Sequence, residues 1–423
     1  MRLTDDERRM LDGAYGAAKA RALDYVVQFG TAFGAERLVD VIFVNYPAEM
    51  SIYKGQVEDL VEYAETGAEV AVTTVTSTLA CDLEQWDKLG CPRELYELQA
   101  QAVDAHKRMG LACTYTCAPQ LCGFIPPKGS YIVSVESSAI IYYNSVLGAR
   151  TNRGGHLTRY SAITGKYPLM GYLLDENRIG THLVKVNLTA DDLREDCDYS
   201  ALGFIVGERV GSEVPVFDQL GVPTQTSLLA LGATLATSGG AALFHAPPHT
   251  AEARDVDDAF KGRTPKEVIE VGRDDLRAAF ERMSTIPAGG EVDFVTLGCP
   301  HYNVAQIRAV ADFFRAAGAR VNPGVRLWIC TSRMAKRLAE FDGSLGVIEA
   351  AGGFVVADCC PVESHMRIPT CRDFGLPVPN VRAMVVDSFK QARYVRDLIG
   401  CETAVRTRDE CLKAAVVGRL QRV

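Results

Sequence analysis

Three of the thirteen cysteines in this 423-residue chain, Cys117, Cys299 and Cys360, each close an apolar run that reads as a buried strand. Cys117 follows the run 111–116, Cys299 ends EVDFVTLGC, and Cys360 ends GGFVVADCC. In a parallel α/β sheet the strand C-termini line one crevice, and ligands bind there. Three thiolates brought to one crevice can hold an iron–sulfur cluster with one iron left open, a Lewis acid for a substrate hydroxyl. Cys330, at the end of VRLWIC, competes for a place in this trio, and each cysteine alone reads equally as a small core residue. Paired C-x2-C spacings at two places, which a structural zinc site would need, are absent.

Other chemistry-bearing residues flank these cysteines. In LGCPHYN (297–303), Gly298 suits a tight turn. Cys299 is expected just before a helix, whose N-terminus favours a thiolate, with His301 facing the same site. In ADCCPVES, Pro361 keeps Cys360 extended, and Cys359 points to the opposite side of the strand. The segment VESSAIIYYNSVLGARTNRGG (135–155) places Glu136, Ser137, Ser138, Asn144, Arg150, Thr151, Asn152 and Arg153 around a Gly-rich turn. Two arginines in a fixed loop can grip a carboxylate or phosphate in bidentate fashion, or else bridge two lobes. In VVDSFKQARY (385–394), Ser388 opens a helix and Lys390 sits in its first turn, where a cation opposes the helix dipole. His245, at the end of SGGAALFH, reads as a satisfied core histidine.

These residues need a frame. Helical segments over the first 40 residues, 56–66 and 94–109 alternate with strand-like runs at 38–44 and 69–76, an alternation that argues for α/β architecture. The stretch 119–168 reads as long polar loops of the kind that carry function. After IPAGG the rhythm becomes regular, with strands at 291–297, 325–330, 353–358 and 382–386 and helices at 302–316, 332–341 and 388–398. The expected fold is multi-lobed, with doubly wound parallel sheets flanked by helices. A boundary separates N-terminal lobes (1–288), which hold the arginine loop, from a C-terminal α/β lobe (289–423) with two of the cysteines.

Composition narrows the classes. Hydrophobic residues make up 48% and charged residues 23%, as in a packed globular protein, and the net charge is −8. No basic stripe appears, which argues against nucleic acid as a partner. The N-terminus MRLTDDERRML lacks the apolar core of a signal peptide. The longest run without charge, 219–251, is broken by Gly, Pro, Thr and Ser and reads as core rather than as a membrane span. An odd number of cysteines with no secretion signal reads as reduced thiols in a cytoplasmic protein.

Taken together, ESSAIIYYNSVLGARTNRGG, SGGAALFHA, LGCPH and the Cys-Pro of DCCPV, in that order, resemble the aconitase X family, and the likeness runs from LTDDERRMLDG to VVDSFKQARY. The resemblance implies a hydro-lyase with an aconitase-like fold that dehydrates a small hydroxy acid, such as cis-3-hydroxy-L-proline or a phosphorylated mevalonate. It implies an iron–sulfur cluster, 4Fe–4S ahead of 2Fe–2S, on Cys117, Cys299 and Cys360. Arg150 or Arg153 would bind the substrate carboxylate, with Ser137, Ser138, Asn144, Thr151 and Asn152 around it, and His301, Lys390 and Ser388 would stand in the catalytic group. The swivelling small domain of aconitase, with its catalytic serine, is expected on a separate small subunit. The chain departs from the family pattern at Asn45 or Tyr46, near Thr74–Ser77 and at HTAEA (249–253), near expected substrate contacts. The rival readings are a non-catalytic iron–sulfur redox sensor and a zinc-dependent or metal-free lyase.

Overall fold

Most segments with strand-like β-branched patterning that are flanked by helices become parallel strands, but the run 111–116 that leads to Cys117 does not and makes only one bridge, Ala112 to Val75. The computed structural model describes residues 1–48, 53–155 and 157–421. In the first lobe β1 (Leu38–Asp40) is followed by β2 (Phe43–Tyr46), β3 (Thr73–Thr76), β4 (Ile132–Ser134) and β5 (Lys166–Pro168). The parallel order is β3-β2-β4, while β1 and β5 form a separate antiparallel pair. The single strand expected at 38–44 is therefore two. The chain leaves one sheet at Val41, exposes Ile42, and enters the other at Phe43.

A second parallel sheet, in the order β7-β6-β8, contains β6 (His182–Val186), β7 (Pro215–Asp218) and β8 (Glu267–Val271). The helices Asp196–Val210 and Gln225–Ser238 pack against each other so closely that a side chain at Gly203 would place its Cβ 2.3 Å from the Leu231 carbonyl oxygen. The third sheet contains β9 (Phe294–Tyr302), β10 (Arg326–Thr331), β11 (Phe354–Ala357), β12 (Ala383–Val386) and β13 (Glu402–Val405). Its order is β11-β10-β9-β12-β13, all parallel, so the winding reverses between β9 and β12. That reversal opens a crevice at the C-terminal ends of these two strands.

Two expectations need correction. The stretch 119–168 is not mainly loop: it contains β4, β5 and the helices Ser137–Ser145 and Leu157–Thr164. The first of these helices is buried on nearly every side, so no polar face marks it in the sequence. Cys299 does not stand just before a helix either. β9 continues through it to Tyr302, and the next helix begins at Val304, where Asn303 and Gln306 form a reciprocal capping box.

The first and third lobes are pinned together by a buried charge group. Asp82, fully buried, accepts hydrogen bonds from the Glu84 amide (2.9 Å), Arg333 (2.8 Å), Gln85 (2.9 Å), Lys336 (3.2 Å) and the Ala357 amide (2.9 Å). Arg333 also pairs with Asp358. Burial alone would raise Asp82, but Lys336 and Arg333 hold it below the usual carboxylate value. Asp358, with φ +69°, sits just past β11, and its carbonyl accepts the Leu79 amide at 2.7 Å. This group fixes the turn that carries Cys359 and Cys360.

Candidate active site

Cys117, Cys299 and Cys360 meet where β9 ends beside β12. The Cys117 sulfur accepts the His301 amide at 3.2 Å. Burial pushes the Cys299 thiol up to about 12, against the pull of Lys390. Burial also raises Cys117 and Cys360, and each lies close enough to Cys299 to be raised further by it. Cys330 stays fully buried inside the sheet beneath them, 3.7 Å from the Thr296 hydroxyl. Cys359 faces Asp82, Asp358 and Cys91 instead.

Gly298 makes this convergence possible. Its φ is +95°, and a Cβ there would lie 2.2 Å from the Cys330 carbonyl oxygen. Gly298→Ala must therefore strain the backbone and push β9 from β10. Thermal unfolding should show a loss of at least about 1–3 kcal/mol, and an unchanged melting curve would contradict the close approach.

A buried ion pair stands against the thiols. Lys390 is 6% exposed and donates to Glu136 Oε1 at 2.6 Å and to Ser137 Oγ at 3.1 Å. Burial disfavours both charges, yet Glu136 holds Lys390 well above its usual value and Lys390 holds Glu136 below its own. The single Ser138 hydroxyl proton is shared between Glu136 and the Cys117 carbonyl, each 3.0 Å from Oγ. Ser388 precedes the helix Phe389–Leu398 yet caps no amide there, because its hydroxyl turns to Cys299. The Phe389 amide is satisfied by Ser200 of the second lobe at 3.0 Å. His301 is kept neutral by burial, its pKa lowered to about 4, and its Nδ1 lies 3.1 Å from the Thr116 hydroxyl.

The arginine loop divides. Arg150 donates to the Leu173 carbonyl at 3.0 Å and pairs with Asp175, lining a separate cavity of about 490 Å³. Asn144 is saturated by Thr151, the Ala242 carbonyl and Arg178. The Thr151 hydroxyl accepts the Ser134 amide, and Asn152 bridges Met170 and Tyr172. Of these four, expected around substrate, Asn144, Thr151 and Asn152 spend their polar atoms on contacts within the protein, while Arg150 opens onto the cavity. Arg153 differs. It is exposed, pairs with Ser134 at the end of β4, and donates one hydrogen bond, to the Ala236 carbonyl at 3.1 Å. His245 is a core residue bonded to the Arg178 carbonyl at 2.7 Å.

Sequence reasoning missed a second ion pair at the site, Glu363–Arg367 at 3.0 Å. Burial raises Glu363 to about 7, and it senses both Glu136 and Lys390. Its only signal was its place three residues after Cys360. Of the unusual family positions, Asn45 is fully buried and donates to Ser134 at 3.2 Å, and Tyr46 accepts from Arg159 at 3.0 Å.

Among the described residues no three Cys, His, Asp or Glu side chains converge as they would on one metal ion. A multi-iron cluster is broader than an ion and needs a wider triangle of sulfurs. Three mutually sensing thiols, a backbone N–H on one sulfur and a nearby ammonium form a donor set that suits it.

Comparison with known proteins bears on this arrangement. Family models described as the first, second and third domains of aconitase X match residues 1–176, 180–281 and 292–417. The phosphomevalonate dehydratase large subunit of Methanothermobacter thermautotrophicus is 37% identical over 399 residues, 94% of each chain. The cis-3-hydroxy-L-proline dehydratase of Pseudomonas aeruginosa is 34% identical over 430 residues, 99% of this chain and 70% of that one. The crystal structure of Thermococcus kodakaraensis aconitase X (holo-form) superimposes with a TM-score of 0.85 at 31% identity, covering 98% of this chain and all of the other.

Proposed function

Because the chain belongs to the aconitase X family and is a hydro-lyase, we propose that it removes water from a small hydroxy acid of the cis-3-hydroxy-L-proline kind, in the cytoplasm and together with a small subunit. A phosphorylated mevalonate is the second candidate substrate, favoured by the 37% identity to a phosphomevalonate dehydratase large subunit. The observation that carries the reading is the buried Lys390–Glu136 pair set against Cys117 and Cys299. A redox sensor has no use for such a pair.

Cys117, Cys299 and Cys360 would hold an iron–sulfur cluster, which when bound supplies a Lewis acid for the leaving hydroxyl. Lys390, kept protonated by Glu136, stabilises the negative charge that develops beside the substrate carboxylate as the neighbouring C–H proton is removed. Such a C–H is weakly acidic, so a fixed cation is required. Ser137 and Ser138 orient the Glu136 carboxylate. His301 and Ser388 act as positioning residues, each donating a hydrogen bond to a cysteine sulfur. Arg153, which among the described residues donates only to the Ala236 carbonyl, takes the substrate carboxylate. The base that removes the C–H proton is assigned to the small subunit.

The test is a dehydration screen of hydroxyproline isomers and mevalonate 5-phosphate on anaerobically purified protein, with and without the small subunit, alongside iron and sulfide analysis. Turnover that needs both iron and the small subunit supports the reading. Full turnover by zinc-loaded or metal-free protein overturns the cofactor assignment. Arg153→Lys keeps the charge but loses the planar fork and should lower kcat/KM by about tenfold or more. Arg150→Lys should leave kcat/KM within about threefold and instead lower stability by roughly 1 kcal/mol through its lost carbonyl contact. The reverse pattern would return Arg150 to the clamp.

A further inference from the structure

The helix Arg333–Phe341 carries its apolar residues on two sides. Ala335 and Ala339 face the core, while Met334, Leu338 and Phe341 point outward at 45%, 50% and 91% exposure. Spacings of four and three put these three on one stripe. The charges around the stripe are paired: Arg337 with Glu84 and Glu340, and Arg308 with Asp342. An apolar centre inside a neutralised polar rim is the anatomy of a protein interface.

The stripe leads into the site. Met334 and Leu338, with Leu121 and Val304, form the apolar side of a small cavity whose polar wall includes Thr116, His301, Asn303 and Ser332. His301 in turn donates its amide to Cys117. The cavity measures about 90 Å³, far below the roughly 300–1,000 Å³ of a small-molecule pocket. Its volume matches that of about one apolar side chain. Relatives of this chain are named large subunits, and the chain covers 70% of the longer Pseudomonas dehydratase.

We propose that the outward face of this helix and its cavity are the docking surface of the small subunit, which inserts one apolar side chain between Leu121, Val304, Met334 and Leu338. The inference rests on the reading that a small subunit completes the active site. It assigns that partner an anchor of aliphatic or aromatic character and places it over the His301 side of the thiol group. Burial of an apolar stripe at the mouth also excludes water from the chemistry beneath.

The experiment titrates the purified small subunit of the same organism into the full chain by calorimetry and reads association without turnover. Leu338→Asp and Phe341→Asp should each weaken binding by about 100-fold, the scale of a central interface residue. Phe33→Asp, which changes an apolar residue 65% exposed on a different lobe, should bind as the parent does. Circular dichroism checks that the variants fold. Phe341→Ser, at a side chain almost wholly in solvent, gives a second reading should Leu338→Asp unfold. Parent-like binding by folded Leu338→Asp and Phe341→Ser overturns the proposal. So does sedimentation showing that the stripe pairs two copies of this chain. A tight complex that loses affinity in these variants yet dehydrates none of the candidate acids leaves the docking surface standing and sinks the catalytic reading.

Discussion

Replacing Cys117, Cys299 or Cys360 singly with Ser is expected to abolish both bound iron and dehydratase turnover, with activity falling by about a thousandfold or more. A serine oxygen is a poor substitute for thiolate at an iron–sulfur centre. The three positions come from two lobes, so no neighbouring sulfur in the chain can take over a missing corner without moving a strand end. Cys330 tests this directly. It lies next to Cys299 and Cys360 but inside the sheet, and Cys330→Ser should keep most of the iron. Cys197→Ser and Cys411→Ser, buried in helices away from the group, serve as controls. Iron and labile sulfide per chain, measured anaerobically with the visible spectrum, decide the matter. Retained iron in any of the three single variants removes that cysteine from the ligand set.

Asp82→Ala should produce the largest loss of stability of any single substitution outside the cysteines. It leaves Lys336 buried without its carboxylate, removes one of Arg333's acceptors and orphans the Ala357 amide. Breaking one partner of a buried charge group typically costs about 3–5 kcal/mol. For a chain of this size the melting temperature should drop by several degrees, on the order of 2–4 °C per kcal/mol or less. The same variant should load less iron, because Asp82 holds the end of β11 from which Cys360 projects. A variant with parent-like melting and full iron would show that the turn is held by Arg333–Asp358 alone.

Much of the frame was legible in the sequence for a plain reason. Parallel strands buried on both faces read as continuous β-branched runs, and the helices of the third lobe show one clear apolar face, so both signals survive without tertiary knowledge. The cysteines were picked out as strand ends, yet only Cys360 sits just past a strand: Cys299 lies inside β9, and the run 111–116 before Cys117 makes a single bridge, Ala112 to Val75, in place of a strand. The Ser137–Ser145 helix was not, because burial all round erases periodicity and its serines and asparagine imitate a loop. Arg150 and Arg153, three residues apart in one motif, look equivalent in sequence. Only the fold reveals that Asp175 and Leu173 come to one and the Ala236 carbonyl to the other. The Asp82 group joins residues about 250 positions apart, a distance over which charge patterning carries no signal.

That Asp82 group has a bearing on how the enzyme matures. Cys117 arrives with the first lobe, and Cys299 and Cys360 arrive with the third. Were the two lobes joined only by flexible chain, their sulfurs would meet at the millimolar effective concentrations of a tether. The salt-linked clasp joins the two lobes through protein contacts, so the ordering entropy of bringing the corners into register would be met by those contacts and would not have to come from metal–sulfur bonds. Zinc fingers work the other way, with metal binding driving the fold. With the clasp in place, the proposed cluster would enter a receptacle already held by protein contacts, and its oxidative loss would leave the two lobes still joined.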